Sequence, residues 1–231
     1  MIDFSKRSYT KEILDLDTTP FDDIKRTMEE LDFINTYLGG HAITLQAFKK
    51  LLKDKKEITV CEIGCGGGDN LNAIKIWSKN KNLKISFIGI DINENCIEFA
   101  RQKNPHIEFI ASDYKKAIFS TNKPDIIFSS LFCHHFTDEE LIEMMQWMKA
   151  NASEGFFIND LHRHKIAFHF IKITTSIFSR SYLVKNDGPI SVLRSFKKKE
   201  WIAILQKAGI TNYTIHWKWA FRYLIIVDNA G

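Results

Sequence analysis

Proline and cysteine are scarce: four of each stand among 231 residues. The cysteines are Cys61, Cys65, Cys96 and Cys133, and no two form a C-x-x-C pair. This excludes a small disulfide-stapled scaffold and points to reduced thiols in a cytoplasm. No apolar run approaches the roughly eighteen residues of a membrane span. The opening stretch MIDFSKRSYTKEILDLD lacks the basic-then-apolar layout of a secretion signal. Charge of one sign is not in large excess either, with a formal net charge of +4. The one compact basic run, Lys197-Lys198-Lys199, precedes an expected helix and reads as a solvated face, so no nucleic-acid partner is expected. Glycine numbers only 11, yet four fall within the five positions 64–68, directly behind an apolar run. Glycine crowded in this way supplies positive φ or lets a backbone approach a ligand.

What is abundant is phenylalanine, at 18 residues, and 45% of the chain is hydrophobic. Such a composition is globular and suits one α/β domain with a full core or an apolar substrate cavity. Ile24, Met28, Leu31, Ile34 and Leu38 have helical spacing, opened by Pro20 and closed by Gly39-Gly40. A second helix is expected over 41–53 and a strand over 58–63, running into the glycines. Helical spacing returns at Leu71, Ile74 and Trp77. Then come a strand ending at Asp91, a helix capped by Asn93, a strand ending at Asp113, and a strand opened by Pro124. Thr137 and Glu140 have capping-box spacing at the head of the next helix, and 155–161 reads as a fifth strand. Alternating strands and helices predict a doubly wound, mostly parallel sheet with helices on both faces. The last two strands, 211–220 and 221–227, are joined too tightly for a crossover and must form an antiparallel hairpin. Between them and strand five lies an apparent insertion with an apolar stripe at Ile166, Phe170, Ile173, Ile177 and Phe178, plus a helix near 197–207.

In an open parallel sheet, ligands sit outside the carboxyl ends of the strands. That edge gathers the glycine loop, Asp91, Asp113, the stretch 129–135 and the stretch 160–164. The dinucleotide fingerprint G-x-G-x-x-G fails, because counting from Gly64 the sixth position is Asp69. The Gly-Lys-Ser/Thr ending of a P-loop is missing too. The loop is Gly64-x-Gly66-x-Gly68, with Glu62 two residues before it. A carboxylate there repels a pyrophosphate and suits a ligand carrying an ammonium group.

E-x-G-x-G-x-G after the first strand, an acid ending the second and an acid after the third resemble class I S-adenosylmethionine-dependent methyltransferases, and so does the terminal hairpin. The resemblance covers about residues 58–227. SLFCHHFTDEEL and NDLHRH…DGP.SVLRSF are similar to small-molecule methyltransferases of the ubiquinone/menaquinone-biosynthesis type, some of them associated with bacterial polyketide and phenolic-lipid pathways. It implies a Rossmann-like methyltransferase fold of seven strands with the last antiparallel. Its parts are an N-terminal helical cover (1–56), a cofactor-binding core (57–160), an inserted lid (161–196), and a last helix with the terminal hairpin (197–231). S-adenosyl-L-methionine is the implied cofactor. Gly64, Cys65, Gly66 and Gly68 would pass beside its methionine part, and Glu62 would meet its ammonium. Asp91 would take the ribose hydroxyls, Ile92, Asp113 and Tyr114 the adenine, and Ser129, Ser130 and Leu131 the floor near the sulfonium.

His134 and His135 follow strand four, where an imidazole can take a proton from a phenol or enol. The bland alternative is one histidine bonding backbone and the other packing. His162, Arg163 and Phe170 are candidates for holding the acceptor; Arg163 serves equally as a surface ion pair. Cys61, Cys65, Cys133, His134 and His135 match no zinc spacing, so no metal is expected. The insertion stripe reads first as core, second as a lid over an apolar acceptor, third as contact with a membrane surface. The expected function is methyl transfer to a small aromatic or lipid-like molecule, oxygen favoured over carbon. Rival readings are a nucleic-acid methyltransferase and a non-catalytic cofactor-binding protein. Strand four ends in SSLF rather than Asn/Asp-Pro-Pro-aromatic, which disfavours methylation of DNA bases.

Overall fold

The computed structural model describes residues 2–15, 19–117, 119 and 123–229. The outermost positions of the expected 1–56 and 197–231 segments therefore lie outside the described residues. Its strands are β1 (Glu57–Ile63), β2 (Lys84–Asp91), β3 (Glu108–Ala111), β4 (Ile126–Ser130), β5 (Gly155–Leu161), β6 (Tyr213–Lys218) and β7 (Arg222–Asp228). Its helices are α1 (Phe21–Tyr37), α2 (Gly40–Leu52), α3 (Asp69–Ser78), α4 (Glu94–Lys103), α5 (Asp138–Asn151), α6 (Lys165–Phe178), α7 (Tyr182–Arg194) and α8 (Lys198–Lys207). The strands form one sheet in the order β3-β2-β1-β4-β5-β7-β6. All pairs are parallel except those made by β7, which runs antiparallel to both β5 and β6.

The central strands are buried on both faces, which explains their nearly continuous apolar sequence. Every residue of β4 is buried, and Phe128 stacks on Phe157 of β5 with ring centroids 4.7 Å apart. One core layer lies under α5 and α8 and centres on Phe156, Met144 and the fully buried Trp201. The other lies under α2, α3 and α4 and centres on Phe48, Leu71 and Ile97. Helix starts follow local chemistry. Asn93 accepts the N–H groups of Asn95 and Cys96, and Thr137 and Glu140 exchange bonds in a capping box. β3 is shorter than the strand expected there. Asp113 lies beyond it and caps a 3₁₀ turn by accepting the N–H of Lys115 at 2.9 Å.

The insertion is a pair of helices, α6 and α7, and its stripe departs from expectation. Ile166, Ile173, Ile177 and Phe178 are exposed, with Phe178 at 80% and Phe170 at 44%. The helix buries its opposite side, where Ala167, Phe168 and Ile171 pack with Val192 of α7 and Leu161 at the end of β5. Apolar residues line both sides of α6, so periodicity alone did not show which side faces inward.

Arg163 is also turned inward. It is 1% exposed, and its guanidinium donates to the carbonyls of Phe4 (3.2 Å), Ser5 (3.3 Å) and Ser195 and to Glu200 Oε1 (2.5 Å). It ties the N-terminal segment to α7 and α8 and has no reach toward an acceptor. Arg163→Met should therefore lower unfolding free energy by about 3 kcal/mol in urea titration. Affinity for S-adenosylhomocysteine should be unchanged.

Candidate active site

The strand order reverses between β1 and β4, and the main cleft opens at the carboxyl ends of those two strands. This cleft has a volume of about 410 Å³ and is lined by Glu62, Gly64, Gly66, Asp91, Leu131 and His135 among others. A neighbouring cleft of about 220 Å³ shares Gly64, Asp91, Ile92, Phe132 and Phe136 with it and adds Asp113 and Tyr114. The glycines have distinct duties. Gly64 and Gly66 line the main cleft at φ +66° and +49°. A Cβ on Gly64 would meet the Phe132 ring at 2.2 Å, so no larger residue fits while that ring stays. Gly68 (φ +74°) sits before α3 against the Phe109 ring and does not line the cleft.

Glu62 is buried, and Oε1 accepts Asn70 Nδ2 at 2.9 Å. Its Oε2 has no hydrogen-bond partner among the described residues. Burial, with the charge of Asp69 adding to it, pushes the Glu62 carboxyl well above the usual range. An ammonium group in the cleft would satisfy that orphaned oxygen and restore its charge. Asp91 accepts the N–H of Gly66 and of Asn93, each at 2.9 Å, and keeps lone pairs for further donors. These features fit a ligand with an amino-acid tail and a ribose.

Beside the cleft lies a mostly apolar inner cavity of about 140 Å³. Leu14, Leu31, Leu131 and His135 line both spaces, so the two adjoin at His135. Leu131 holds φ +54°, a left-handed conformation that strains a leucine at the point where β4 leaves the sheet. The cavity's polar wall is a network of buried charges. His134 Nδ1 lies 2.8 Å from Asp160 Oδ1, and its Nε2 lies 3.5 Å from Glu12 Oε1. Burial alone would lower the imidazole pKa. The charge and hydrogen bond of Asp160, then Glu12, outweigh it and raise His134 to about 9. His135 Nδ1 lies 2.8 Å from Asp15 Oδ1, and its Nε2 lies 3.9 Å from Glu12 Oε2. Partial burial works against the charged Asp15 carboxylate, but the His135 contact and Arg194 hold it at about 2. Arg194 spans the network, donating to the carbonyls of His134 (3.1 Å) and His135 (2.8 Å) and to Asp15 (2.9 Å).

Glu12, His134 and His135 offer ligand atoms all within 4.8 Å of one another, as do Asp32, His41 and Asp69. In the first group Arg194 and an imidazolium between two carboxylates already supply the positive charge.

Of the residues singled out in the sequence, Glu62, Gly64, Cys65, Gly66, Asp91, Ile92, Ser130, Leu131 and His135 are brought together around the main cleft. Asp113 and Tyr114 line the adjoining one, and His134 the inner cavity. Ser129 is turned away: it is fully buried and its Oγ pairs with Cys133 Sγ at 3.3 Å, because alternate β4 side chains face opposite sides of the sheet. His162 sits between Tyr223 and His164 outside both spaces, and burial lowers it to about 4. Phe170 lines an outer cavity between α1 and α6. Sequence reasoning placed Asp160 at the ligand edge without giving it a role, and missed Glu12, Asp15, Arg194 and Arg222. Arg222 opens β7 opposite Leu161, is 2% exposed, and lines the inner cavity. Its Nη2 donates to Asn35 Oδ1 at 2.8 Å, while its Nε has no partner among the described residues. Burial draws its pKa down to about 10 despite Asp160 and Asp69 nearby.

A methyltransferase-domain family model matches residues 60–155. The ubiquinone/menaquinone biosynthesis C-methyltransferase UbiE of Campylobacter jejuni is 23% identical over 172 residues, 67% of this chain and 71% of that protein. Among solved structures, the plantazolicin methyltransferase BpumL in complex with SAH superposes with a TM-score of 0.66 at 20% identity, covering 93% of this chain and 91% of that one. Magnesium protoporphyrin IX methyltransferase of Synechocystis with bound SAM gives 0.58 at 16% identity, with 92% of each chain covered. The fold is thus the Rossmann-like one of S-adenosylmethionine-dependent methyltransferases. The matched domain and the relative, beside that fold, support an S-adenosylmethionine-dependent methyltransferase.

The raised His134 pKa carries a stability prediction. Its contribution is complete below the ordinary value of 6.5 and is lost as pH rises through about 9. Melting temperature should fall over that window. In Asp160→Asn, where the larger raising charge is gone and Glu12 remains, the fall should shrink, and a fall of equal size there would contradict the assignment.

Proposed function

We propose that the protein methylates a hydroxyl oxygen of a small, apolar aromatic or lipid-like acceptor whose head group sits in the inner cavity. The observation that carries this is His135, the polar side chain shared by the cofactor cleft and that cavity beside Glu12 and the His134–Asp160 pair. When bound, S-adenosylmethionine supplies a sulfonium methyl that an oxygen nucleophile displaces in line. In this reading Glu62 meets its ammonium and Asp91 its ribose hydroxyls. Ile92, Asp113 and Tyr114 take the adenine in the smaller cleft, and Ser130 and Leu131 form the floor beside the methyl.

His135 receives the acceptor proton at Nε2, with the Asp15 carboxylate 2.8 Å from its Nδ1. Glu12 beside it and the His134–Asp160 pair hold the proton network in place, a positioning role. Arg222 sets a buried positive charge in the cavity wall that favours an anionic oxygen over a neutral one. The apolar wall excludes water, which strengthens both effects. The tail of a long acceptor has room in the outer cavity of about 680 Å³, which shares Ile34, Leu38 and Thr175 with the inner one.

The relative's printed name is that of a C-methyltransferase. Oxygen is favoured here because a paired imidazole–carboxylate network suits removal of a hydroxyl proton. The test is a panel of alkylphenols and alkylresorcinols with methyl-labelled cofactor, analysed for the position of the label. His135→Ala should lower kcat by about a hundredfold or more and leave S-adenosylhomocysteine affinity within about twofold. A chelator should change neither. Full activity in His135→Ala, or label on ring carbon, would sink the reading.

A further inference from the structure

We propose that α6, the end of α1 and the β6–β7 turn form one docking face for an anionic lipid bilayer, set around the mouth of the acceptor passage. Large apolar side chains on three separate elements are exposed. On α6 they are Ile166, Phe170, Ile173 and Ile177, spaced i, i+4, i+7, i+11 along one side of the helix, with Phe178 beyond. On α1 they are Phe33 and Tyr37, whose rings lie 4.4 Å apart. In the hairpin they are Trp217 and Trp219, the latter 70% exposed.

These groups adjoin one another. The outer cavity between α1 and α6 is walled by Phe33, Tyr37, Phe170 and Phe178. Phe221 stacks on His164, the residue capping α6, and meets the edge of Trp217 at 6.1 Å. A Cβ on Gly39, just past α1, would touch Trp219 Cδ1 at 3.7 Å. A patch drawing on three elements exceeds the scattered apolar residues of an ordinary surface.

Charge selects the occupant. From 161 to 186 the chain contains no aspartate or glutamate, and Lys165, Lys172, Arg180 and Lys185 are all exposed. Lys165 and Lys172 each neighbour a stripe residue, Ile166 and Ile173, along one edge of the stripe. An apolar stripe edged by lysines lies in the headgroup plane of an anionic bilayer, its ammonium groups reaching the phosphates. Exposed tryptophans suit the same interface. No described helix is long and apolar enough to cross a membrane, so the contact is peripheral. The outer cavity opens within this face and shares Ile34, Leu38 and Thr175 with the inner one, so on this proposal an acceptor dissolved in the bilayer enters by that side.

The face is independent of which atom is methylated, and its test uses no acceptor. Purified full-length protein is sedimented with vesicles of phosphatidylcholine alone or mixed with phosphatidylglycerol. Wild type should pellet with the anionic vesicles, less with the neutral ones, and release as salt rises. The double variant Ile173→Glu, Ile177→Glu lies outside both cavities. It should lose about tenfold or more of the vesicle affinity and keep the wild-type affinity for S-adenosylhomocysteine. Wild type that ignores both vesicle types would overturn the proposal, as would a double variant that binds as well as wild type. A wild-type dimer in sedimentation equilibrium that the same variant dissociates would also overturn it and give the face to a second copy of the chain.

Discussion

The contact between His134 and Asp160 holds the active end of the molecule together. Both groups are buried, 2.8 Å apart, where the turn after β4 passes the end of β5. A lone carboxylate at that depth would be too costly, and so would a lone imidazolium. Glu12 completes the pair from the N-terminal segment and is fastened to α7 through Ser191. Arg194 then draws Asp15 and the backbone of both histidines into the same cluster. Pairing of buried charges thus joins the N-terminal segment, the sheet edge and the inserted helices. Asp187 reinforces the join by accepting the N–H groups of Ile13 and Leu14.

This joining separates two environments that share a wall. The main cleft carries the carboxylates Glu62 and Asp91 and is set by the reversal of strand order. The inner cavity is mostly apolar, its polar groups being those of the charge cluster with Asp187, Ser191, Thr27, Thr175 and Arg222. Leu131 and His135 stand where the two meet. α6 and α7 roof the acceptor side with their inner residues Ile171, Leu183 and Val184 and leave the outer stripe of α6 uncovered.

The sheet and its ligand edge were legible because their signals are local. The glycine turn, Asp91 at the end of β2 and the capping box at Thr137 each follow from neighbouring residues. Glu12 and Arg222 were not legible, since chain closure brings them to the site: Glu12 meets residues more than a hundred positions away, and Arg222 enters the wall through the antiparallel pairing of β7 with β5. Arg163 misled because a charge beside the ligand edge resembles a substrate anchor, while its acceptors come from the N-terminal segment and α7. The α6 stripe misled because helical spacing marks an apolar side without saying whether protein or something else covers it.

On the proposed function, the glycine turn and Asp91 form the cofactor site. The most direct test is calorimetric titration of wild type and Asp91→Ala with S-adenosylhomocysteine, with NAD as comparator. Micromolar binding of S-adenosylhomocysteine alone, lost in the variant, is the expected result. Preference for NAD, or undiminished binding in Asp91→Ala, would contradict it.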